Sequence, residues 1–589
     1  MRTLRPRPTT LRTTALRSLA LRCIGLSIIL VALGGVPLAA EIQFTDVSFA
    51  SGVSGPEFFS STHHSHGVNW IDFDVDGWPD LFLVGGDPGY GPYLFRNDGD
   101  GTFTRVDDLL PTLPGVEMSG SIFADYDRDG DPDLFVYTDN GDWETMALDN
   151  PPDGPPNILL RNLWVENGGT TVADQPLFED VTAAAGLLDL ADPSWGDLPA
   201  YRSKTAAWLD YDRDGCIDLF VGHLVINAGG TPPNRDRFYR NRCDGTFEDV
   251  TAASGINPGT DSTLDRGALA AIGFHLNDDL WPDLYVVNVS SVDTFYHRDL
   301  IYENQGPGPD GTVTFQEVSG RMAGVCDDSQ AGMGVDVADL DLDGDWDLYI
   351  SDLRDTTVDA TPLGNVLYMN DGAGNFVDNS APSAGLVGEG SWGVNFFDAD
   401  HDGWEDLYVS TIFPGTELFF RHDGVDGQGQ VRFTNIAEDL GLSTGSSRGS
   451  AVADYDRDGD LDFAVVNDLG NLQLYRNDTT DPGHWLGLEL RAERSNLDAI
   501  GTLVEVTTGA VVRRRQVKGG SSAHSQDSLT VHVGLGGATT VDRVRVRWPS
   551  GLETLLEDVA VDQYLDVFET RLFHDGFESG DLSGWFVSR

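Results

Sequence analysis

This sequence predicts an all-β chain, a seven-bladed β-propeller followed by a small β-rich C-terminal domain, on three observations. An aspartate-rich string recurs along most of the chain, each copy runs straight into an apolar β-prone segment, and a Phe-headed strand motif recurs equally often but out of phase by one.

The string reads Asp-x-Asp-x-Asp-Gly-x-x-Asp. Its acidic positions one, three, five and nine are Asp72, Asp74, Asp76 and Asp80, then Asp125, Asp127, Asp129 and Asp133, then Asp210, Asp212, Asp214 and Asp218. They recur as Asp339, Asp341, Asp343 and Asp347, as Asp398, Asp400, Asp402 and Asp406, and as Asp454, Asp456, Asp458 and Asp462. A degenerate copy fills the widest gap, with His275, Asn277, Asp279, Leu280 and Asp283 at the matching positions before Leu284-Tyr285-Val286-Val287. Intervals on the order of 60 residues suit one four-stranded blade per copy, with insertions.

A second strand in each copy ends in Arg-Asn or a relative of it, as in Leu94-Phe95-Arg96-Asn97 and Tyr475-Arg476-Asn477. Gly/Asp-rich turn residues then lead to an outer strand headed by Phe. These outer strands begin at Phe44, Phe103, Phe178, Phe247, Phe315, Phe376 and Phe433, and none follows the last aspartate loop. Ring closure accounts for the phase shift: the strand at Phe44 completes the blade built around Asp454 and leaves no open sheet edge between the chain's ends.

Carboxylates at alternate positions of a tight turn point into one small volume, where they repel one another unless a cation is bound. Calcium is the expected guest, because it takes six to eight oxygens at about 2.3–2.6 Å, whereas magnesium keeps its waters. Gly77, Gly130, Gly215, Gly344, Gly403 and Gly459 stand where the turn demands positive φ. About six calcium sites are expected. The degenerate loop, with Asn277, Asp279 and Asp283, should bind weakly or not at all. An EF-hand is excluded, since it requires Glu at position twelve and flanking helices. Over residues 41–478 these motifs resemble the FG-GAP/VCBS repeats of integrin-type propellers, which implies structural calcium on one side of the propeller and no catalytic role for the metal.

From His484-Trp485-Leu486 the aspartate motif stops and alternating strands with more basic residues take over. Asn496-Leu497-Asp498-Ala499-Ile500-Gly501, Gly534-Leu535-Gly536 and Val546-Arg547-Trp548-Pro549-Ser550-Gly551 resemble the ASPIC/UnbV domain, and the pairing of the two modules resembles the cartilage acidic protein family and its bacterial relatives. Arg513 and Arg515 fall on one face of a strand and Arg543, Arg545 and Arg547 on one face of another. Such faces can dock an acidic partner or the propeller itself, or cover apolar surface with their stems in solvent.

The N-terminus carries Arg2, Arg5, Arg7, Arg12, Arg17 and Arg22 ahead of an apolar run from Ile24 to Leu33, ending near Ala39-Ala40. That reads as a signal peptide, too short to span a bilayer. The expected division is therefore 1–40 signal, 41–480 propeller, 481–570 C-terminal domain and 571–589 flexible tail. With 95 acidic against 37 basic residues and a net charge of −58, the chain is far too acidic for nucleic acid or an anionic membrane surface as partner unless a bound cation neutralises the surplus, and no nucleic-acid partner is expected. In an oxidising compartment Cys216, in its aspartate loop, and Cys243, in the turn to the same blade's outer strand, form a geometrically reasonable disulfide, leaving Cys326 unpaired. The histidines His63, His64 and His66 lack a partner at zinc spacing.

No nucleophile elbow, zinc-protease helix, phosphate loop or catalytic cysteine stands in a convincing context, and Gly519-Gly520-Ser521-Ser522 lacks the strand-to-helix framing of an elbow. The expectation is a secreted or periplasmic, calcium-stabilised, non-enzymatic protein that recognises an extracellular protein or glycan, with no membrane insertion of the mature chain. A polysaccharide hydrolase or lyase with its site in the propeller channel, and a structural surface or matrix component, are the alternatives.

Overall fold

The computed structural model describes residues 41–569, apart from connecting stretches of which the longest are 54–66, 149–155, 189–202, 225–235, 257–266, 289–298, 322–331 and 354–363. The expected signal peptide, the histidine cluster, Cys326 and the expected tail lie outside the described residues.

Seven four-stranded antiparallel sheets follow one another along the chain. In the third blade the strands are Ser203–Leu209, Asp218–His223, Arg237–Asn241 and Phe247–Asp249, hydrogen-bonded in that order. Each first strand is followed by an aspartate loop, and its residues are almost wholly buried because both sheet faces pack on neighbouring blades. The last blade, Ser447–Ala453, Asp462–Asn467 and Leu472–Asn477, is completed by Phe44–Asp46 from the other end of the chain, with Phe44 opposite Asn477 and Asp46 opposite Tyr475. Phe44 locks this seam by packing edge-on against Phe397 and Phe463.

The ring is fastened by a residue whose role the sequence did not reveal. The Asn ending each third strand turns its Nδ2 to the carbonyl of the second loop residue in the preceding blade. Asn162 donates to Phe73 O at 2.7 Å, Asn241 to Tyr126 O at 2.7 Å, Asn304 to Tyr211 O at 2.9 Å and Asn477 to Ala399 O at 2.9 Å. Asn97 closes the circle by donating to Tyr455 O at 2.8 Å, from the first blade to the last. In the sixth blade His422 replaces Asn and its Nε2–H donates to Leu340 O at 3.0 Å. These side chains satisfy carbonyls that the sharp loops leave without strand partners.

The C-terminal strands form two sheets. One orders Val531–Gly536, His484–Arg491 and Tyr564–Phe568, the last pair parallel; the other orders Val511–Gln516, Leu503–Thr508, Thr540–Arg547 and Glu553–Ala560. Leu486, Leu488, Val504, Val533, Val544 and Trp548 build the core between them, and this cluster continues into Ile122, Tyr137 and Trp208 of the propeller. The described residues accordingly belong to one compact unit.

The connection at 517–530 enters the ring and meets the first strand of several blades. Gln526 pairs with Phe123 through both ends of its amide, accepting from N at 2.9 Å and donating to O at 3.2 Å, while its own carbonyl accepts from Trp70 N at 3.3 Å. Ser522 N donates to Val335 O at 3.1 Å, its hydroxyl accepts from Val394 N at 3.0 Å, and Asp527 accepts from Val452 N at 2.9 Å. Gly519 O accepts from Trp208 N at 2.8 Å, and just before the segment Gln516 reaches Gly273 O in the fourth blade at 3.2 Å. The segment thus plugs the centre of the ring. A Cβ at Gly519 would lie 2.3 Å from Trp208 O, so close approach explains the glycine.

Candidate functional site

Each aspartate loop is a turn with two left-handed positions. The expected glycine at position six has φ of 90° at Gly77 and 104° at Gly459. Position four is left-handed as well, at Val75, Arg128, Arg213, Leu342, His401 and Arg457, with φ from 52° to 64°. Nothing in the residue types at position four signals this; the loop geometry imposes it against the ordinary preference of bulky side chains.

The four acidic positions divide the work. Position nine opens the second strand and is a buried clip: Asp80 accepts Asn97 N at 2.7 Å on one oxygen and Phe73 N at 3.1 Å on the other. Asp133, Asp218, Asp347, Asp406 and Asp462 repeat the pair, and so does Asp283 of the degenerate copy. Burial pushes the pKa of this group well above the usual carboxylate range and the N–H donors pull it back only in part, the situation a bound cation would relieve. Position one accepts the N–H of the loop glycine, as Asp72 does from Gly77 at 3.0 Å and Asp454 from Gly459 at 2.8 Å. Position five accepts the N–H of position seven, as Asp76 does from Trp78 at 2.9 Å and Asp214 from Cys216 at 3.0 Å.

Positions one, three and nine converge. In the first three blades one carboxylate oxygen from each of Asp72, Asp74 and Asp80, of Asp125, Asp127 and Asp133, and of Asp210, Asp212 and Asp218 lies within 4.8 Å of the others. Oxygens about 2.4 Å from a common ion stand at most about 4.8 Å apart, so each triad fits one calcium shell. Every intact loop also holds at least one buried carboxylate oxygen with no hydrogen-bond partner, among them Asp74 Oδ1, Asp127 Oδ1, Asp210 Oδ1, Asp339 Oδ2, Asp398 Oδ1 and Asp456 Oδ1. A buried oxygen without a donor is costly, and these six fit a metal. Burial, with repulsion from neighbouring carboxylates, pushes Asp72 up to about 7 and Asp125 and Asp210 up to about 8. Arginines at the ends of the third strands offset part of the charge, as Arg240 does from 2.7 Å to Asp212.

The degenerate loop is built differently. His275, at position one, is buried, which lowers its pKa to about 4, and its Nε2–H donates to Gly501 O of the C-terminal domain at 3.0 Å. Glu303 stands where five of the other blades have arginine and one has Met369, and it is gripped by both terminal nitrogens of Arg321 at 3.0 Å. Asn277 donates to Glu303 at 3.4 Å, and Leu280 takes the left-handed position without a glycine, at φ 66°. A protein-borne cation stands beside this loop, and it leaves no carboxylate oxygen orphaned.

The C-terminal domain sits on the loop face. Tyr564 donates to Asp454, Asp498 Oδ2 accepts Asp125 N at 2.6 Å, Arg514 donates to Gly344 O, and His532 Nε2–H donates to Gly459 O at 2.8 Å. Arg513 and Arg515 are buried, with Arg515 3.2 Å from Glu405, and Arg547 pairs with Asp278. Of the open readings for the arginine faces, docking onto the propeller describes these three. Arg545 instead pairs within its own sheet with Glu505 and Glu553, and Arg543 faces solvent. The expected disulfide joins Cys216 and Cys243 and staples the third loop to its outer turn. No helix among the described residues is long and apolar enough to cross a membrane.

Comparison with known proteins agrees with this architecture. Residues 72–136 match the FG-GAP-like repeat and residues 492–571 match the ASPIC and UnbV family. The chain is 23% identical to cartilage acidic protein 1 of Mus musculus over 564 residues, covering 92% of this chain and 78% of the relative. The Homo sapiens protein of that name is 23% identical over 532 residues, covering 87% and 73%. Among solved structures, a Bacillus licheniformis rhamnogalacturonan lyase overlaps 72% of this chain and 75% of its own at 13% identity, with a TM-score of 0.35. One stretch of the chain thus matches the FG-GAP-like repeat and another the ASPIC and UnbV family.

Proposed function

We propose that this protein is an extracellular, calcium-loaded recognition propeller, in which six ions hold the loops that carry the C-terminal domain and the outer surface engages a protein or glycan. The observation that carries the reading is the orphaned carboxylate oxygen in each of the six intact loops, absent from the degenerate one. The residues that would hold the ions are positions one, three, five and nine of those loops, with the position-seven carbonyl. The metal's part is structural: it neutralises carboxylates on the face where Tyr564, Asp498, Arg514 and His532 dock. A secreted location is supported by the basic-apolar N-terminus, the disulfide and the relatives' name.

Binding is favoured over catalysis because the plug takes up first-strand groups in the centre of the ring, where a hydrolase or lyase of this fold would place its site. Thermal unfolding of residues 41–589 with calcium, with chelator, and with magnesium in place of calcium tests the reading. A calcium-specific rise in midpoint, with about six ions bound by calorimetry, is expected. No shift and no bound calcium would overturn it.

A further inference from the structure

The second blade carries a group of acidic residues that the loop pattern does not account for. Position seven of its loop is Asp131, and carboxylate oxygens of Asp129, Asp131 and Glu166 lie within 4.8 Å of one another, apart from the Asp125, Asp127 and Asp133 triad. Asp131 is 1% exposed, and while its Oδ2 accepts Val165 N at 2.7 Å, its Oδ1 has no hydrogen-bond partner. Asp129 Oδ2 is buried and unpartnered too, although Asp129 Oδ1 accepts Asp131 N at 3.2 Å. Two orphaned oxygens therefore stand here in addition to that of Asp127, which belongs to the loop triad. Glu166 is brought in by the turn after the third strand, where Asn167 N bonds Leu163 O at 2.9 Å and Gly168 N bonds Val165 O at 2.9 Å. The neighbouring cation offsets only part of this charge: Arg161 bonds Glu179 at 2.9 Å, and its Nε makes a longer ion pair with Glu166 at 3.9 Å.

We infer that the second blade binds a second calcium ion, held by Asp129, Asp131 and Glu166 beside the one in its loop. The donors are all carboxylate oxygens, which select a hard cation, and calcium tolerates such an irregular, partly hydrated shell where magnesium demands near-ideal octahedral geometry. Two oxygens are buried and one side chain, Glu166, faces solvent, so an ion can enter from outside and complete its shell with water. Three acids from a turn and a following loop gain mutual neutralisation from the ion, which fastens the 163–170 turn to the aspartate loop.

The inference rests on the calcium reading above, and its test separates the two. Calcium bound by residues 41–589 is counted by equilibrium dialysis with elemental analysis for the wild type, Glu166→Gln and Asp131→Asn. Each variant should lose one ion, or weaken one site at least tenfold, with the remaining sites unchanged. Glu166 is exposed, so its amide should leave unfolding in chelator unaltered. Strontium-loaded crystals give a second readout, an anomalous peak within about 2.6 Å of the three carboxylates. Equal ion counts and affinities in all three proteins, as a proton shared between Asp129 and Asp131 would give, overturn this inference and leave the loop sites standing. A wild type that takes up no calcium overturns both.

Discussion

Replacing Asn97 by alanine would unfasten the seam between the first and last blades. Asn97 is 2% exposed, and its Nδ2 donates to Tyr455 O at 2.8 Å across the seam and to Pro79 O at 3.0 Å within its own blade, while its Oδ1 accepts Gly99 N at 3.0 Å. Alanine removes three hydrogen bonds and leaves their partners without donor or acceptor in a crowded setting. At about 1 kcal/mol per net bond, and more for a group left unsatisfied, the loss should be about 2–4 kcal/mol. The sixth blade supplies the control. There His422 makes the same two kinds of contact, Nε2–H to Leu340 O at 3.0 Å and Nδ1 accepting Gly424 N at 2.9 Å. Asn97→His should therefore recover much of the loss, whereas Asn97→Ala should not. Urea unfolding at fixed calcium, followed by tryptophan emission, reads the difference, and hydrogen exchange of the strand at Phe44–Asp46 should accelerate in the alanine variant alone. An alanine variant within about 0.5 kcal/mol of wild type, or a histidine variant no better than alanine, would refute the claim that these side chains clip the ring.

Three further outcomes are expected. In chelator, stability should fall as pH rises from about 6.5 to 8.5, because the raised carboxyls of Asp72, Asp125 and Asp210 hold protons in the folded state that the unfolded chain gives up near 4; a carboxyl that titrates one pH unit higher in the folded than in the unfolded chain contributes about 1.4 kcal/mol to the fall, and calcium should abolish it. Buried His275 and His401, lowered to about 4, act in the opposite direction and have largely done so by pH 6.5, so a chelated protein as stable at 8.5 as at 6.5 would contradict the assignment. Gly519→Ala should displace the plug at a cost of about 1–3 kcal/mol, seen as new protease cleavage within 517–530, since its Cβ would press on Trp208 O. Reducing the Cys216–Cys243 bridge, which spans 27 residues, should lower stability by about 3.5 kcal/mol on loop entropy, and denaturant midpoints of Cys216→Ser/Cys243→Ser against wild type measure it.

The repeat is legible because four acids and a glycine recur at fixed offsets and can be read from each of the six intact copies. Ring closure follows from a phase count, and Phe44–Asp46 pairs where that count requires. The disulfide is legible because both cysteines lie at defined points of one blade. The Asn of each Arg-Asn pair is visible as a landmark but not as a clip, since its partner is a backbone carbonyl roughly 80 or more residues away by chain position, and backbone carbonyls carry no sequence signal. Asp131 gives no signal of its own because position seven varies among Trp, Asp and Cys, and only the placement of Glu166 gives it company.

What the sequence determined by itself is local and periodic: strands, turns, the acid-bearing loops and their number, all set by interactions within one blade of chain. What the tertiary structure alone decided is long-range: the 517–530 segment as a plug, Arg513 and Arg515 turned inward rather than to solvent, and the loop face as the docking surface of the C-terminal domain. The physical reason is that a strand's pattern records which face is buried but not against what. A glycine such as Gly519 reads as a flexible turn until a carbonyl from another blade stands 2.3 Å from where its side chain would be.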